Sequence, residues 1–251
     1  MIEKFDVYIT PFKLSRTIHI YLPNNYHNSD ERYPVMYMYD GHNLFYDSDA
    51  TYGKSWGLKD FLDQYDKPFI IVGIECNHEG NERLNEFCPY DCKSTFLGDI
   101  QGKGDVLMEW VIQELKPLID HNYRTYTSRE CTGIGGSSMG GLMALYTILH
   151  HNDVFSKAAC LSSAIALCNE DVTKELIQSN INPDTRVYLG YGKKEVRGKL
   201  RLAFIENFHN KIKDHLENQG ACVMFNLTNG KHNEESWEKE NPVYFNFLWR
   251  Q

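Results

Sequence analysis

The stretch GIGGSSMGG (133–141) contains five glycines and two adjacent serines within nine positions. A predicted strand, ECTGIGG, leads into it, and a predicted helix, MGGLMALYTILH, continues from it. A Gly-x-Ser-x-Gly pattern at a strand-to-helix turn is typical of a nucleophile elbow, where glycines leave room for a tight and strained backbone. The stretch therefore predicts a strand, a sharp turn that carries a nucleophilic serine, and a helix.

The pattern itself selects one of the two serines. Gly136 and Gly140 lie two residues before and two residues after Ser138, which is the central position. A motif centred on Ser137 would need a glycine at position 139, which is a methionine. We therefore predict that Ser138 is the nucleophile.

Two nucleotide-binding motifs are alternatives for the same glycines. A dinucleotide fingerprint needs Gly-x-Gly-x-x-Gly, and here the third glycine is replaced by Ser138. A phosphate-binding P-loop needs a lysine that this stretch lacks. Both motifs are disfavoured, and no cofactor is expected.

Outward from the elbow, short β-branched or aromatic runs alternate with longer helical patterns. Two closely spaced runs come first and predict an antiparallel start, and the later alternation indicates parallel strands with helices on both faces of a sheet. We predict an α/β fold with about eight strands in a single domain, residues 1–251. The predicted strands are FDVYI, RTIHIYLP, PVMYMYD, FIIVGIE, ECTGIGG, AACLSS, RVYLGY and CVMFNL.

Helices are predicted near 56–65 and over 105–119, 198–218 and 234–249. The 198–218 helix is predicted to be amphipathic, with Leu200, Phe204, Phe208, Ile212 and Leu216 four residues apart. Residues 76–103 are polar and irregular, which is typical of a binding loop rather than a simple connection.

A serine hydroxyl needs a base, and the elbow fold places an acid and then a histidine later in the chain. His232 is the histidine predicted to lie in a loop directly after a strand, in TNGKHNEESW. Glu195 follows the strand RVYLGY, at the carboxyl edge where catalytic groups gather in such sheets. Asp184 precedes that strand and is the weaker candidate for the acid.

Composition restricts the partners. The net charge of −8 disfavours nucleic acid or an anionic membrane as the main partner, and no apolar run approaches the length of a membrane span. The N-terminus lacks the apolar run of a signal peptide, so a cytoplasmic protein is expected. The oligomeric state is left open.

The seven cysteines are expected to be reduced. Cys76, Cys131, Cys160 and Cys222 lie in or beside apolar runs and are predicted to be buried. Cys88 and Cys92 form the one close pair, and no second cysteine or histidine pair completes a zinc pattern. No metal is therefore expected.

Several segments resemble the putative esterase family of α/β-hydrolases, which includes esterase D, enterochelin-type siderophore esterases, and feruloyl and acetylxylan esterases. They keep the family's order along nearly the whole chain. These segments are YPVMYMYDGHNLF (33–45), SW (55–56), VGIE (72–75), RLNEFCP (83–89), GGSSMGG (135–141), YLGYGKKE (188–195) and KHNEESW (231–237).

The resemblance implies Ser138 as nucleophile, Glu195 as acid and His232 as base. It also implies an oxyanion hole made by the backbone amides of Met139 and His42. A glutamate stands at the acid position where many members have aspartate.

The resemblance leaves the substrate open. The pocket is expected to be bordered by Trp56, the 76–103 loop and the region after AACLSS. Arg83 is a candidate substrate-binding residue. Arg83 and Glu86 are expected to form an ion pair that braces the loop. Small acyl or hydroxycinnamoyl esters of carbohydrate are the leading expectation. The alternatives are a siderophore trilactone esterase, an S-formylglutathione-type thioesterase, and a catalytically silent binding protein.

Overall fold

The structure is a computed structural model that describes residues 1–94 and 97–249. Within those residues, ten strands are arranged in one large sheet and one short hairpin. The sheet contains β1 (Ile2–Ile9), β2 (Leu14–Tyr21), β3 (Val35–Tyr39), β4 (Ile70–Ile74), β7 (Thr132–Ser137), β8 (Lys157–Leu161), β9 (Arg186–Gly192) and β10 (Cys222–Thr228), and the hairpin pairs β5 (Cys92–Ser94) with β6 (Gly98–Ile100).

The large sheet has the order β1-β2-β4-β3-β7-β8-β9-β10. β1 pairs with β2, and β2 with β4, in antiparallel fashion, whereas every later pair is parallel. The predicted α/β fold, with about eight strands and an antiparallel start, is therefore confirmed.

Helices connect the parallel strands. Side chains of β3 alternate between the faces: Val35 and Tyr37 pack in one apolar cluster, whereas Met36 and Met38 pack in another. Because both faces of the strand are buried, the sheet needs helices on each side. The helices are α1 (Leu58–Gln64), α2 (Glu82–Glu86), α3 (Gly104–Trp110), α4 (Lys116–Asn122), α5 (Met139–His150), α6 (Asn169–Gln178), α7 (Lys199–Asn218) and α8 (Glu234–Trp249), with a π-helical segment, Val111–Leu115, joining α3 to α4.

Three local expectations differ from the structure. Residues 76–103 contain α2 and the β5–β6 hairpin and are thus less irregular than predicted. In α7, Leu200 is 89% exposed and Phe204 49% exposed, because the burial of this helix begins only at Ile205. Cys222, at the start of β10, is exposed rather than buried, and Cys131 is only half-buried.

None of the helices in the described ranges combines the length and the apolar character that crossing a bilayer would require.

Candidate active site

Ser138 occupies the turn between β7 and α5. Its backbone has φ 57° and ψ −119°, a conformation that costs a non-glycine residue roughly 1–3 kcal/mol. A Cβ on Gly136 would lie 2.8 Å from the carbonyl carbon of Gly140, so the two motif glycines allow the strand and the helix to approach this closely. Ser138 is partly exposed, whereas Ser137 beside it is buried.

Glu195 and His232 come from two loops that follow neighbouring strands. Nδ1 of His232 lies 2.7 Å from Oε2 of Glu195. The carboxylate can only accept, so Nδ1 carries the proton and Nε2 is left as the basic nitrogen. The Glu195 side chain is 3% exposed, whereas that of His232 is 46% exposed.

The other carboxylate oxygen of Glu195 is held by two donors. Oε1 accepts from the amide of Gly192 at 2.6 Å and from the hydroxyl of Ser162 at 2.7 Å. The Ser162 hydroxyl in turn accepts from the indole nitrogen of Trp237 at 2.7 Å. Ser162 also has a positive φ of 45°, so the backbone is strained at the residue that carries this hydroxyl.

Sequence reasoning missed Ser162 and Trp237, although both lie in segments that it singled out. Ser162 directly follows β8 in the predicted strand AACLSS, at the carboxyl edge of the sheet where site residues gather. The ring of Trp237 lies 5.3 Å from that of His232 at 81°, an edge-on contact. The indole therefore contacts one member of the Glu195–His232 pair and supports the other through Ser162.

A cavity of about 730 Å³ brings Ser138 and His232 together. His42 and Arg83 contribute to the same wall. Polar and charged side chains predominate among the other lining residues, which are Asp40, Asn43, Thr51, Tyr52, Lys54, Cys76, Asn77, His78, Gly80, Ser137, Asn233, Glu234, Glu235 and Trp237. Tyr52 is 81% exposed, so an aromatic ring stands free at the mouth of this cavity.

Arg83 does not pair with Glu86, and that sequence expectation is wrong. Its Nε and Nη2 atoms donate to the two carboxylate oxygens of Asp40, both at 2.7 Å. Burial alone would raise the pKa of Asp40, but the Arg83 charge and hydrogen bonds hold that pKa below its usual value. The charge of Arg83 is thus largely compensated by a buried carboxylate.

Glu86 pairs with Arg16 instead. The guanidinium of Arg16, on β2, donates to both oxygens of Glu86 at 2.9 Å, and both side chains are almost fully buried. The two residues have different partners because they lie on different sides of α2. Glu86, at the C-terminal end of α2, faces the sheet, whereas Arg83 faces the cavity. The loop is braced by two ion pairs to the sheet rather than by one pair within itself.

Trp56 lies behind the cavity wall rather than on it. It is 1% exposed, and its ring lies 5.4 Å from that of Trp237. The Trp56 carbonyl also accepts from the side-chain amide of Asn241 at 2.7 Å. In this structure Trp56 reaches the cavity through Trp237.

Met139 and His42, whose amides are predicted to form an oxyanion hole, lie at the start of α5 and in the turn after β3. Met139 is the first residue of α5, so its amide is among the helix N–H groups without an intrahelical acceptor. His42 follows Gly41, where a Cβ would lie 2.5 Å from the carbonyl carbon of Gly73, so this turn needs a glycine to pack against β4. The His42 ring bonds to Thr51 at 2.9 Å, and burial lowers its pKa.

Glu240, on α8, is a buried carboxyl group behind the site. It accepts from the hydroxyl of Tyr188 at 2.5 Å and is 4% exposed. Burial raises its pKa to about 7 from 4.5; the Tyr188 bond opposes this rise, and the charge of Glu195 adds to it. Between these two pH values the folded state binds more protons than the unfolded state, so this group's stabilising contribution is complete below about pH 4.5 and is lost as the pH rises through about 7.

We therefore expect Glu240→Gln to flatten the pH dependence of stability. The ionisation of Glu240 should lower the free energy of unfolding of the native sequence by about 3 kcal/mol between about pH 5 and about pH 8, and the glutamine should remove this loss. Urea unfolding at a series of pH values measures the effect. Glu235→Gln, on the exposed side of the same helix, should keep the native slope. Equal slopes for Glu240→Gln and the native chain would contradict the assignment.

A family model described as putative esterase matches residues 10–242. Among curated proteins, the uncharacterized protein YbbA of Bacillus subtilis is 26% identical over 191 residues, which is 75% of this chain and 72% of YbbA.

Two solved esterases share the fold. The enterobactin esterase of Shigella flexneri, solved in the presence of enterobactin, superposes with a TM-score of 0.76 at 18% identity, and the match covers 100% of this chain but 59% of that one. A ferulic acid esterase superposes with a TM-score of 0.71 at 17% identity and 99% and 96% coverage. The chain therefore spans about three fifths of the enterobactin esterase and nearly all of the ferulic acid esterase.

Proposed function

Since the chain belongs to the putative esterase family, we propose that it is a serine carboxylic-ester hydrolase that acts through an acyl-enzyme. In this proposal Ser138 is the nucleophile, His232 the general base and Glu195 the acid that orients the base. One observation carries the proposal: the 2.7 Å contact between His232 and Glu195 leaves a basic Nε2 in the cavity that Ser138 also lines.

In the acylation step, the Ser138 hydroxyl oxygen attacks the ester carbonyl while Nε2 of His232 takes the hydroxyl proton. Glu195 stabilises the imidazolium that forms, and its two further donors keep the carboxylate in place. The tetrahedral intermediate collapses as the protonated His232 gives its proton to the departing alcohol. Water, activated by the same histidine, then releases the acid and restores Ser138.

The negative oxygen of the intermediate needs fixed donors beside Ser138. We assign these to the amides of Met139 and His42, and each such donor is worth about 3–4 kcal/mol in the transition state. Met139 suits the role because the first N–H groups of α5 are unbonded within the helix and carry its positive dipole end.

Ser162 is the positioning residue of this proposal. Ser162→Ala should lower kcat by about tenfold with little change in KM, because Glu195 loses one of its two fixed donors while Ser162 itself is not among the residues that line the cavity. Steady-state kinetics on a chromogenic short-chain ester measure kcat and KM separately. Ser163→Ala is the matched control, since the buried Ser163 hydroxyl has no hydrogen-bond partner among the described residues. An unchanged kcat in Ser162→Ala would remove Ser162 from this role.

For the substrate, we propose small acyl or hydroxycinnamoyl esters of short carbohydrates. The cavity is polar enough for sugar hydroxyls, and the exposed ring of Tyr52 at its mouth offers a flat face to a sugar or an aromatic acyl group. A strongly anionic substrate fits less well, because the charge of Arg83 is compensated by Asp40 and the lining also carries Glu234 and Glu235.

The test is a panel of acetyl, butyryl, feruloyl, thioester and trilactone substrates, assayed on the native chain and on Tyr52→Ala. We expect turnover of short-chain aryl esters and of methyl ferulate or acetylated oligosaccharides, and slow turnover of long-chain lipid esters. Tyr52→Ala should raise KM for feruloyl or sugar esters more than for a simple acetyl ester. Tyr126→Ala is the control, because that exposed tyrosine lines a different cavity.

The panel also decides between this substrate class and its rivals. Trilactones are included because a structure with the same fold was solved in the presence of enterobactin. If kcat/KM for a trilactone is about a hundredfold higher than for every sugar or cinnamoyl ester, the protein is a siderophore esterase and the present proposal is wrong. A thioester preference would likewise point to the S-formylglutathione-type reaction. No turnover of any ester would favour a silent binding protein.

A further inference from the structure

Three cysteines from separate segments converge at one point beside the cavity loops. Cys88 follows α2, Cys92 begins β5, and Cys168 ends the 3-10 turn Ala164–Cys168 that follows β8. Their sulfur atoms all lie within 4.8 Å of one another, and those of Cys88 and Cys168 are 3.9 Å apart. Cys88 and Cys168 are buried and Cys92 is half-buried, so the cluster is enclosed on most sides but reachable from solvent.

We propose that Cys88, Cys92 and Cys168 form a binding site for a thiophilic d¹⁰ cation such as Zn²⁺. With metal–sulfur bonds of about 2.3 Å, two thiolates that share one cation lie about 3.8–4.0 Å apart, the spacing found for Cys88 and Cys168. A set of three sulfur ligands selects soft cations over Mg²⁺ or Ca²⁺. The half-buried side of Cys92 leaves room for water as a fourth ligand.

Binding needs only the loss of protons. Each thiol releases its S–H proton to solvent as its sulfur bonds the cation, and no electron is transferred. The Cys88 thiol now donates to the carbonyl of Tyr90 at 3.2 Å, and this bond would be exchanged for the metal bond.

The site joins a segment that is bonded to the elbow to a segment that borders the cavity. Cys168 ends the 3-10 turn whose first amide, that of Ala164, donates to the carbonyl of Ser138 at 2.9 Å. Cys88 follows α2, which carries Arg83 into the cavity wall. A cation bound by these cysteines would fix the loop after β8 to the 76–103 loop. Cys88 and Cys168 are 80 positions apart in the chain.

The test uses the full reduced chain titrated with Cd²⁺ as a spectroscopic probe and with Zn²⁺ as competitor. We expect an ultraviolet thiolate-to-cadmium band that saturates at one equivalent and is displaced by Zn²⁺. Zn²⁺ at about a hundred times its dissociation constant should raise Tm by several degrees. Cys88→Ser and Cys168→Ser should each lose most of the band and of the Tm shift, whereas Cys222→Ser, an exposed cysteine elsewhere, should keep both.

The test must also distinguish the cysteine cluster from a second group of possible metal ligands. His42, Cys76 and His78 also offer ligand atoms within 4.8 Å of one another inside the cavity. A band that survives in Cys168→Ser and disappears in Cys76→Ser would overturn the proposal. A non-reduced chain whose intact mass shows a Cys88–Cys168 disulfide, together with no cadmium band after reduction, would overturn it as well.

Discussion

Replacing Ser138 with alanine is expected to lower kcat by about 10⁵–10⁶-fold and to abolish covalent labelling by a fluorophosphonate. The physical reason is that no acyl-enzyme can form without the hydroxyl at the strained turn, which leaves only binding and oxyanion stabilisation. Ester turnover and mass spectrometry of the labelled chain measure the two effects. The backbone strain remains with alanine, so the thermal midpoint should change little.

Ser137→Ala is the matched control for this experiment. Ser137 is the neighbouring hydroxyl and also lines the cavity, but it lies within β7 and is buried. This variant should keep both labelling and most of the turnover. A labelled peptide carrying the probe on Ser137, or a fully active Ser138→Ala, would refute the assignment of the nucleophile.

The second large effect is expected for Glu195→Gln, which should lower kcat by about 10²–10⁴-fold. Because Oε1 accepts from Gly192 and Ser162, the glutamine oxygen will occupy that side and its amide nitrogen will face His232. An amide N–H there forces Nδ1 to accept, so the proton moves to Nε2 and the histidine can no longer take one from Ser138. Steady-state kinetics and circular dichroism show whether activity falls in a folded protein.

Asp184→Asn is the control for the acid. Asp184 precedes β9, at the opposite edge of the sheet from Glu195, and pairs with Arg129 at 2.5 Å. Its variant should keep near-native kcat. If Glu195→Gln and Asp184→Asn both keep near-native kcat, the acid of the triad is neither of these residues.

Much of the fold followed from local pattern. The continuous apolar run FIIVGIE predicted a strand covered on both faces, and β4 is buried throughout. The elbow was predictable because its strand, turn and helix are adjacent in the chain. Its close contact, between Gly136 and Gly140, joins residues only four positions apart. The contact between Glu195 and His232 agrees with the prediction that both residues follow strands at the carboxyl edge of the sheet.

The partners of individual side chains were less predictable. Arg83 and Glu86 lie on one short helix at a spacing that favours a pair, yet Arg83 binds Asp40 directly after β3 and Glu86 binds Arg16 within β2. That choice depends on which face of α2 meets the sheet, and five residues of helix carry too little pattern to show it. The exposure of Leu200 has a similar cause, because the length of sheet beneath α7 is not encoded in α7 itself.

The sequence by itself determined the order of elements, the parallel sheet and the serine at the elbow, because these depend on residues that are neighbours in the chain. Only the tertiary structure decided that Ser162 and Trp237 support Glu195, that Trp56 lies behind Trp237, and that Cys168 meets Cys88 across 80 positions. Such contacts depend on strand register and on side-chain direction at the ends of distant elements. Those quantities are fixed by packing the whole chain, so no local pattern carries them.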